Sequence, residues 1–395
     1  QTTPPTHTVQ PGDTWTALAM RYRTNPEDLR RLNPHLNQQR QPTIGKAITL
    51  PEGAVAQGGQ LVRQQAGGLL AEAAVRGQNP WLWALQNGRA NPYRPWLYEA
   101  LWVADDDPQA VPRDLPLGLV GLELSQVPAY PGEGLAWRAQ GVAETLEGQT
   151  TLGTAVGTLL ANPENGRVLG LLATGAFYKP GEPELSIQLA GQPGWSQPWW
   201  VASDKAWTFN DITLTGAAAQ IDQAAIDAER ARLFELWAEV WPEPLWETPF
   251  QEPVTDYLSY SSFYGARRSY NGGPYRTYHE GLDFSAYGGT AVFAPARGVV
   301  VLAEQLYVRG GAVIIDHGLG IYSGVYHMSA VHVEPGQVVA PGDLVGEVGT
   351  TGLSTGNHLH WDVLVNGIWV DPMAWRESDM ACWLLAGWGR PCVLT

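Results

Sequence analysis

Long apolar stretches are missing from this sequence: no run of eighteen or more apolar residues occurs, so a membrane-spanning helix has no support. Cations are few. With 24 Lys and Arg against 39 Asp and Glu, the formal charge of −15 sets nucleic acid aside as a partner, because phosphate binding draws on clustered Lys and Arg. Cysteine is nearly absent: Cys382 and Cys392 are the only two, and the Gly-rich stretch Trp388-Gly389-Arg390-Pro391 before the second can turn back toward the first. A disulfide closing that short loop is expected, worth no more than about 2–3 kcal/mol. Phenylalanine is scarce, 7 against 18 tryptophans, and with 45 Gly and 30 Pro this balance favours turn-rich β modules over a helical bundle. A signal-peptide pattern is also lacking, but a mature start at Gln1 is what processing leaves, so secretion stays open.

What is present is enough for several folded modules. At 395 residues the chain exceeds the roughly 100–200 residues that one core organises, so two to four domains are expected.

From His7 to Pro51 the pattern is compact. His7-Thr8-Val9 reads as a short strand, Pro11-Gly12-Asp13 as a turn, and Thr14 as the cap of a helix carrying Leu18, Ala19 and Tyr22. Asn25 or Thr24 caps a second helix with Leu29 and Leu32 on its buried face, Asn33-Pro34 ends it, and Ile44, Ile48 and Leu50 close the unit as a strand. The stretch HTVQPGDTWTALAMRYRTNPEDLRRLNPHL through ITLP resembles the lysin motif (LysM) module, with Trp15 where that family usually has Leu. The resemblance implies a βααβ fold and binding to the glycan strands of peptidoglycan. Residues 76–87 parallel residues 23–33 with one residue inserted, so the segment 55–110 reads either as a degenerate second copy or as a helical connector whose Trp81, Leu82 and Leu85 pack on a neighbour. Asp105-Asp106-Asp107-Pro108 marks a solvated boundary.

Residues 111–215 change to short alternating or apolar segments between Gly/Pro turns, at Leu122–Leu124, Leu135–Trp137, Thr150–Thr154, Arg167–Ala173 and Leu185–Leu189. This is the pattern of an antiparallel, Ig-like β-sandwich, and with no paired acids, histidines or thiols it reads as a spacer or docking module. Within 216–249, Ala217 to Trp241 looks like one amphipathic connecting helix, with Ile221, Ala225, Leu233, Leu236, Trp237 and Val240 on its apolar side.

Six of the eight histidines lie C-terminal to residue 250. In His279-Glu280-Gly281-Leu282-Asp283, strand alternation puts His279, Gly281 and Asp283 on one face, with Gly281 leaving space between imidazole and carboxylate. In His358-Leu359-His360 it puts both imidazoles on one face, and Tyr326-His327-Met328-Ser329 lies between the two motifs in sequence. His/Asp mixtures suit zinc, and three protein ligands leave a fourth position open, as catalysis requires. Taken alone an H-x-H pair is commonly just an exposed pair; the joint occurrence carries the reading. The remaining candidates are weaker: His317 ends an apolar strand and reads as a turn or core residue, His332 as a surface one, Glu280 points away by strand parity, and His7 and His35 lack metal-ligand spacing.

The stretches SSFYGARRSYNGGPYRTYHEGLDFSAYGGTAVFAPARGVVVLAE, GAVIIDHGLGIYSGVYHMS and PGDLVGEVGTTGLSTGNHLHWDVLVNGIWVDP resemble the lysostaphin-type zinc peptidases along the whole catalytic domain. The resemblance implies an antiparallel β fold with a groove across a central sheet. It also implies zinc held by His279, Asp283 and His360, with His327 and His358 acting on substrate and water.

The chain thus reads as a multidomain, mainly β protein: a LysM module (1–54), a second LysM or connector (55–110), a β-sandwich (111–215), a connecting helix (216–249), a zinc metallopeptidase domain (250–376) and a C-terminal tail (377–395). The expected function is that of a monomeric, secreted zinc endopeptidase, at the cell wall, in the periplasm or outside the cell, hydrolysing peptide bonds of peptidoglycan. The rival from a different class is a non-catalytic peptidoglycan-binding activator of another wall hydrolase.

Overall fold

A computed structural model of the protein describes residues 4–36, 40–63, 68–87, 89–93, 100–103, 113–141, 147–203, 205–213, 222–376 and 378–394. The chain divides into two compact units, one of residues 1–128, 139–154 and 181–201, the other of residues 129–138, 155–180 and 202–395. The boundary Asp105–Pro108 lies outside the described residues.

The first unit opens with β1 (Thr6–Thr8), α1 (Trp15–Arg21), α2 (Pro26–Leu32) and β2 (Ala47–Thr49), with β1 and β2 paired antiparallel. Thr14 caps α1 by accepting the Ala17 N–H, and Asn25, not Thr24, caps α2 by accepting that of Asp28. Val9, Trp15, Leu18, Leu29, Ile48 and Leu50 form the core, so Trp15 fills the interior, while Leu32 is 40% exposed and Leu29 alone of that helix is buried. Asn33 ties the helical half to the sheet: its Nδ2 donates to Leu29 O (2.8 Å) and Thr49 O (2.9 Å), and its Oδ1 accepts from Thr49 N (2.8 Å).

The same order recurs in β3 (Gln60–Arg63), α3 (Gly68–Val75), α4 (Pro80–Gln86) and β4 (Ala100–Val103), with β3 and β4 paired antiparallel. Asn79 caps α4 ahead of Pro80 as Asn25 caps α2 ahead of Pro26. Asn87 repeats the tie of Asn33, donating to Trp83 O and Trp102 O (both 2.8 Å) and accepting from Trp102 N (2.6 Å).

Seven strands follow: β5 (Leu119–Leu124), β6 (Gly134–Gly141), β7 (Gly148–Leu152), β8 (Ala155–Asn162), β9 (Arg167–Ala173), β10 (Glu184–Leu189) and β11 (Trp195–Pro198). In the first unit β10 pairs antiparallel with β7 and β11; in the second β8 pairs antiparallel with β9.

The second unit contains β12 (Phe209–Ile212), α5 (Gln223–Trp237), β13 (Ser259–Ser262), β14 (Arg267–Tyr270), β15 (Thr277–Tyr278), β16 (Leu282–Ser285), β17 (Ala291–Phe293), β18 (Gly298–Leu306), β19 (Gly310–Asp316), β20 (Ile321–Met328), β21 (Ala330–Val331), β22 (Val338–Val339), β23 (Leu344–Glu347), β24 (His358–Val365), β25 (Ile368–Val370), α6 (Met373–Arg376) and α7 (Ser378–Trp388). Its main sheet runs β13-β16-β24-β20-β19-β18-β22, with β25 beside β24, and smaller sheets run β17-β23-β21 and β12-β14-β15.

Alternation along β24 sends Leu359, Trp361, Val363 and Val365 to one side, where they join Val300, Val313, Val325, Val345 and the apolar face of α7. On the other side Leu364 packs with Tyr322, Tyr326 and Trp369 beneath Leu233 and Trp237 of α5. Helix α5 therefore packs onto the sheet of the second unit; of the expected helix 217–241, residues 217–221 lie outside the described residues and the helix stops at Trp237. Residues 378–388, expected as tail, form α7, in which Ala381, Leu384 and Leu385 are fully buried. Burying each such leucine contributes roughly 1.5–3 kcal/mol, enough to hold a helix that a glycine-rich composition disguised. Cys382 and Cys392 are joined by a disulfide.

Candidate metal centre

Strand register builds the site. Asp283 of β16 lies opposite His360 of β24, which in turn lies opposite Tyr326 of β20. His279 enters from the end of β15. Three atoms converge: His279 Nε2 is 2.9 Å from Asp283 Oδ1, His360 Nδ1 is 2.8 Å from the same oxygen, and the two nitrogens are 3.0 Å apart. These three residues form a group able to hold a metal ion.

The H-x-x-x-D motif does this without being one strand. β15 ends at Tyr278 and β16 starts at Leu282, with a bend at Gly281. Space at Gly281 is closed rather than open: a Cβ there would lie 2.3 Å from Trp361 O and 2.7 Å from His360 Nε2. Glycine is required because β24 passes against the bend.

Tautomers follow from the partners. The Phe263 carbonyl can only accept, so the proton of His279 sits on Nδ1 (3.0 Å), where Ser262 Oγ also approaches to 3.0 Å. His279 Nε2 is then a lone-pair donor facing a carboxylate oxygen, a contact that needs a cation between them. Burial alone would raise the Asp283 carboxyl, but the two histidines outweigh it and hold it well below the ordinary value. Burial lowers His360 to about 3, keeping its imidazole neutral and its lone pair available.

His327 and His358 complete the group, with ring centroids 4.7 Å apart and His358 Nε2 4.0 Å from Asp283 Oδ1. Strand parity would send His327 to the opposite face from Tyr326. An extra residue prevents this: Gly311 pairs with Met328 but Val313 with Val325, and His327 takes φ +64° within that bulge. Its Nδ1 donates to Thr351 O (2.8 Å), and that of His358 to Gly356 O (2.8 Å), leaving both Nε2 atoms free to exchange protons. Burial, followed by the neighbouring His358, lowers His327 to about 4, so it stands as a neutral base.

Behind the site lies a polar wall that the sequence reading did not find. Asp362, fully buried and pushed up to about 7 by that burial, accepts from Trp369 Nε1 (2.9 Å), with the Tyr326 hydroxyl 3.4 Å away. Arg268 Nη2 stands 3.7 Å from Asp283 Oδ2, and Arg309 crosses the Tyr326 ring at 5.2 Å. Glu280 faces Arg309 and Arg230, away from His279, Asp283 and His360. His317 is a core residue, its ring bonded to Arg297 O and Ser323 Oγ, and His332 pairs with Glu347 at the surface.

Residues 277–372 match peptidase family M23, and residues 7–51 match the LysM domain. The catalytic domain of lysostaphin from Staphylococcus simulans is 31% identical, covering 30% of this chain and 90% of that one, with a TM-score of 0.27. The chain carries a peptidase family M23 domain. An uncharacterized metalloprotease of Haemophilus influenzae is 41% identical over 98 residues, 24% of this chain and 20% of that protein. The peptidoglycan DD-endopeptidase ShyA of Vibrio cholerae is 38% identical over 95 residues, 24% of this chain and 22% of that protein. The match spans about a fifth of the length of these curated relatives. M23 peptidases are zinc metallopeptidases, and the donor set here fits that ion: two imidazole nitrogens and one ionised carboxylate aimed at a common point.

Proposed function

We propose that the M23 domain is a zinc-dependent endopeptidase cutting the peptide cross-links of bacterial peptidoglycan, secreted to the cell wall or periplasm and tethered by its lysin units. The observation that carries this reading is the meeting of His279, Asp283 and His360 around one point, with the free Nε2 atoms of His327 and His358 beside it. His279, Asp283 and His360 would hold zinc, which supplies an activated water and polarises the scissile carbonyl. His358, nearest the carboxylate ligand, would accept a proton at Nε2 and give it up to the leaving amine, and His327 offers a second Nε2 beside it that, once it carries that proton, would steady the developing oxyanion. The name of ShyA, a peptidoglycan DD-endopeptidase, favours the D,D cross-link as the bond cut.

Residues 60–103 form the second lysin unit in this reading, because Asn79 and Asn87 repeat the cap and the strand tie of Asn25 and Asn33. Two weak glycan contacts on one chain raise the local concentration of cross-links at the site. The test is digestion of purified peptidoglycan by the wild type and by His358→Ala, with fragments identified by mass spectrometry. Release of D,D-cleaved peptides by the wild type alone is expected; equal release by both, or by neither, rejects the assignment.

A further inference from the structure

Helix α5 lies upstream of the matched segment 277–372, yet one of its residues is tied to the site. Glu229 is buried, with a side chain 5% exposed. A carboxylate is expensive to bury unless donors satisfy it, and here two do: Val308 N–H to Oε2 at 2.7 Å, and Arg309 Nη1 to Oε1 at 3.2 Å. Both donors belong to the turn between β18 and β19. That turn is interlocked with the segment 351–353: Val308 O accepts from Leu353 N (2.8 Å), and a Cβ at Gly310 would strike Thr351.

His327 hangs from those same two segments. Its backbone N–H donates to Arg309 O at 2.8 Å, and its Nδ1–H to Thr351 O at 2.8 Å. Its φ of +64° is a conformation that non-glycine residues hold only under outside constraint, costing roughly 1–3 kcal/mol. We infer that Glu229 is a positioning residue for His327: its carboxylate fixes the Val308–Arg309 turn, and the turn and the Thr351 segment latched to it hold the imidazole at the substrate. The M23 site of this chain is thus completed by a helix from outside the M23 segment. The catalytic part of this inference rests on the peptidase reading above.

The test compares full-length wild type, Glu229→Ala, His327→Ala and the double variant on a soluble cross-linked muropeptide, with zinc content measured for each. A misplacement of about 1 Å costs on the order of 100-fold in rate, so Glu229→Ala is expected to lower kcat by roughly 10–100-fold, with KM little changed and zinc content equal to wild type. Added to His327→Ala, it should cost nothing further. In the metal-free protein, the His327 backbone amide, followed by NMR, should exchange at least about tenfold faster in Glu229→Ala. Arg232→Ala, which removes an exposed ion pair with Glu304 on the same helix, serves as the control and should match wild type in each readout. Wild-type kcat in Glu229→Ala, losses that multiply in the double variant, or unaltered amide exchange would each overturn the inference. If Glu229→Ala does not fold, Glu229→Gln takes its place, and wild-type kcat and exchange there reject it. If the wild type itself cleaves nothing, the peptidase reading fails, while amide exchange still decides the link from Glu229 to His327.

Discussion

Asn33 and Asn87, in the two βααβ units, use both ends of their amides: each donates twice to main-chain carbonyls and accepts once from a strand N–H. In the M23 domain, His279, Asp283 and His360 do the reverse, turning their ring nitrogens and carboxylate oxygen toward one another across 2.8 to 3.0 Å. Polar side chains that hold a fold are satisfied by their own backbone. Those that hold a ligand are satisfied only when it arrives, and this difference separates structural from functional polar groups more sharply than burial does.

The contrast breaks first at the candidate metal ligands. Asp283→Ala should lower zinc affinity by more than the roughly 10–100-fold that loss of a ligand's supporting partner costs, and abolish cleavage, while the fold persists. Zinc titration by calorimetry with a circular dichroism control checks it; wild-type affinity would remove Asp283 from the site.

His317 is a buried histidine of the satisfied kind, and pH sharpens its case. Burial lowers it to about 4 against an ordinary 6.5, with the Arg297 carbonyl opposing the shift. The unfolded chain therefore binds the extra proton between those values. The resulting stabilisation, about 3 kcal/mol, is complete above pH 6.5 and drains away as pH falls toward 4. Urea midpoints of wild type and His317→Gln across that window should diverge in slope; parallel curves would count against a neutral buried ring.

The smallest effects separate the two lysin units. Asn33→Ala orphans Thr49 N–H and O, for an expected loss of about 1–3 kcal/mol, and Asn87→Ala, at a less buried position, should cost less. Sedimentation with insoluble peptidoglycan should weaken in both. If Asn87→Ala alters neither melting nor sedimentation, the second unit is a connector and no glycan module.

The site was legible in sequence because its chemistry is compressed into short motifs: His279 with Asp283, and His358 with His360. The route by which His327 reaches it was not. That depends on a one-residue bulge and on Thr351 and Arg309, partners brought close only by strand pairing. The cap at Asn25 followed from local rules, while β8, β11 and β12 carried too little alternation to separate from their flanking turns. Helix α7 was hidden by Gly387, Gly389 and Pro391, although Ala381, Leu384, Leu385 and Trp388 keep helical spacing. The two cysteines drew attention to a loop and away from the helix they brace.

Helix α7 sets a schedule for the molecule's biogenesis. It is made after the His358–His360 strand, yet it fills the core against β9, laid down some 200 residues earlier. Every histidine of the candidate site has left the ribosome before that core can close. The nascent chain carries these side chains on a scaffold whose core α7 has yet to fill.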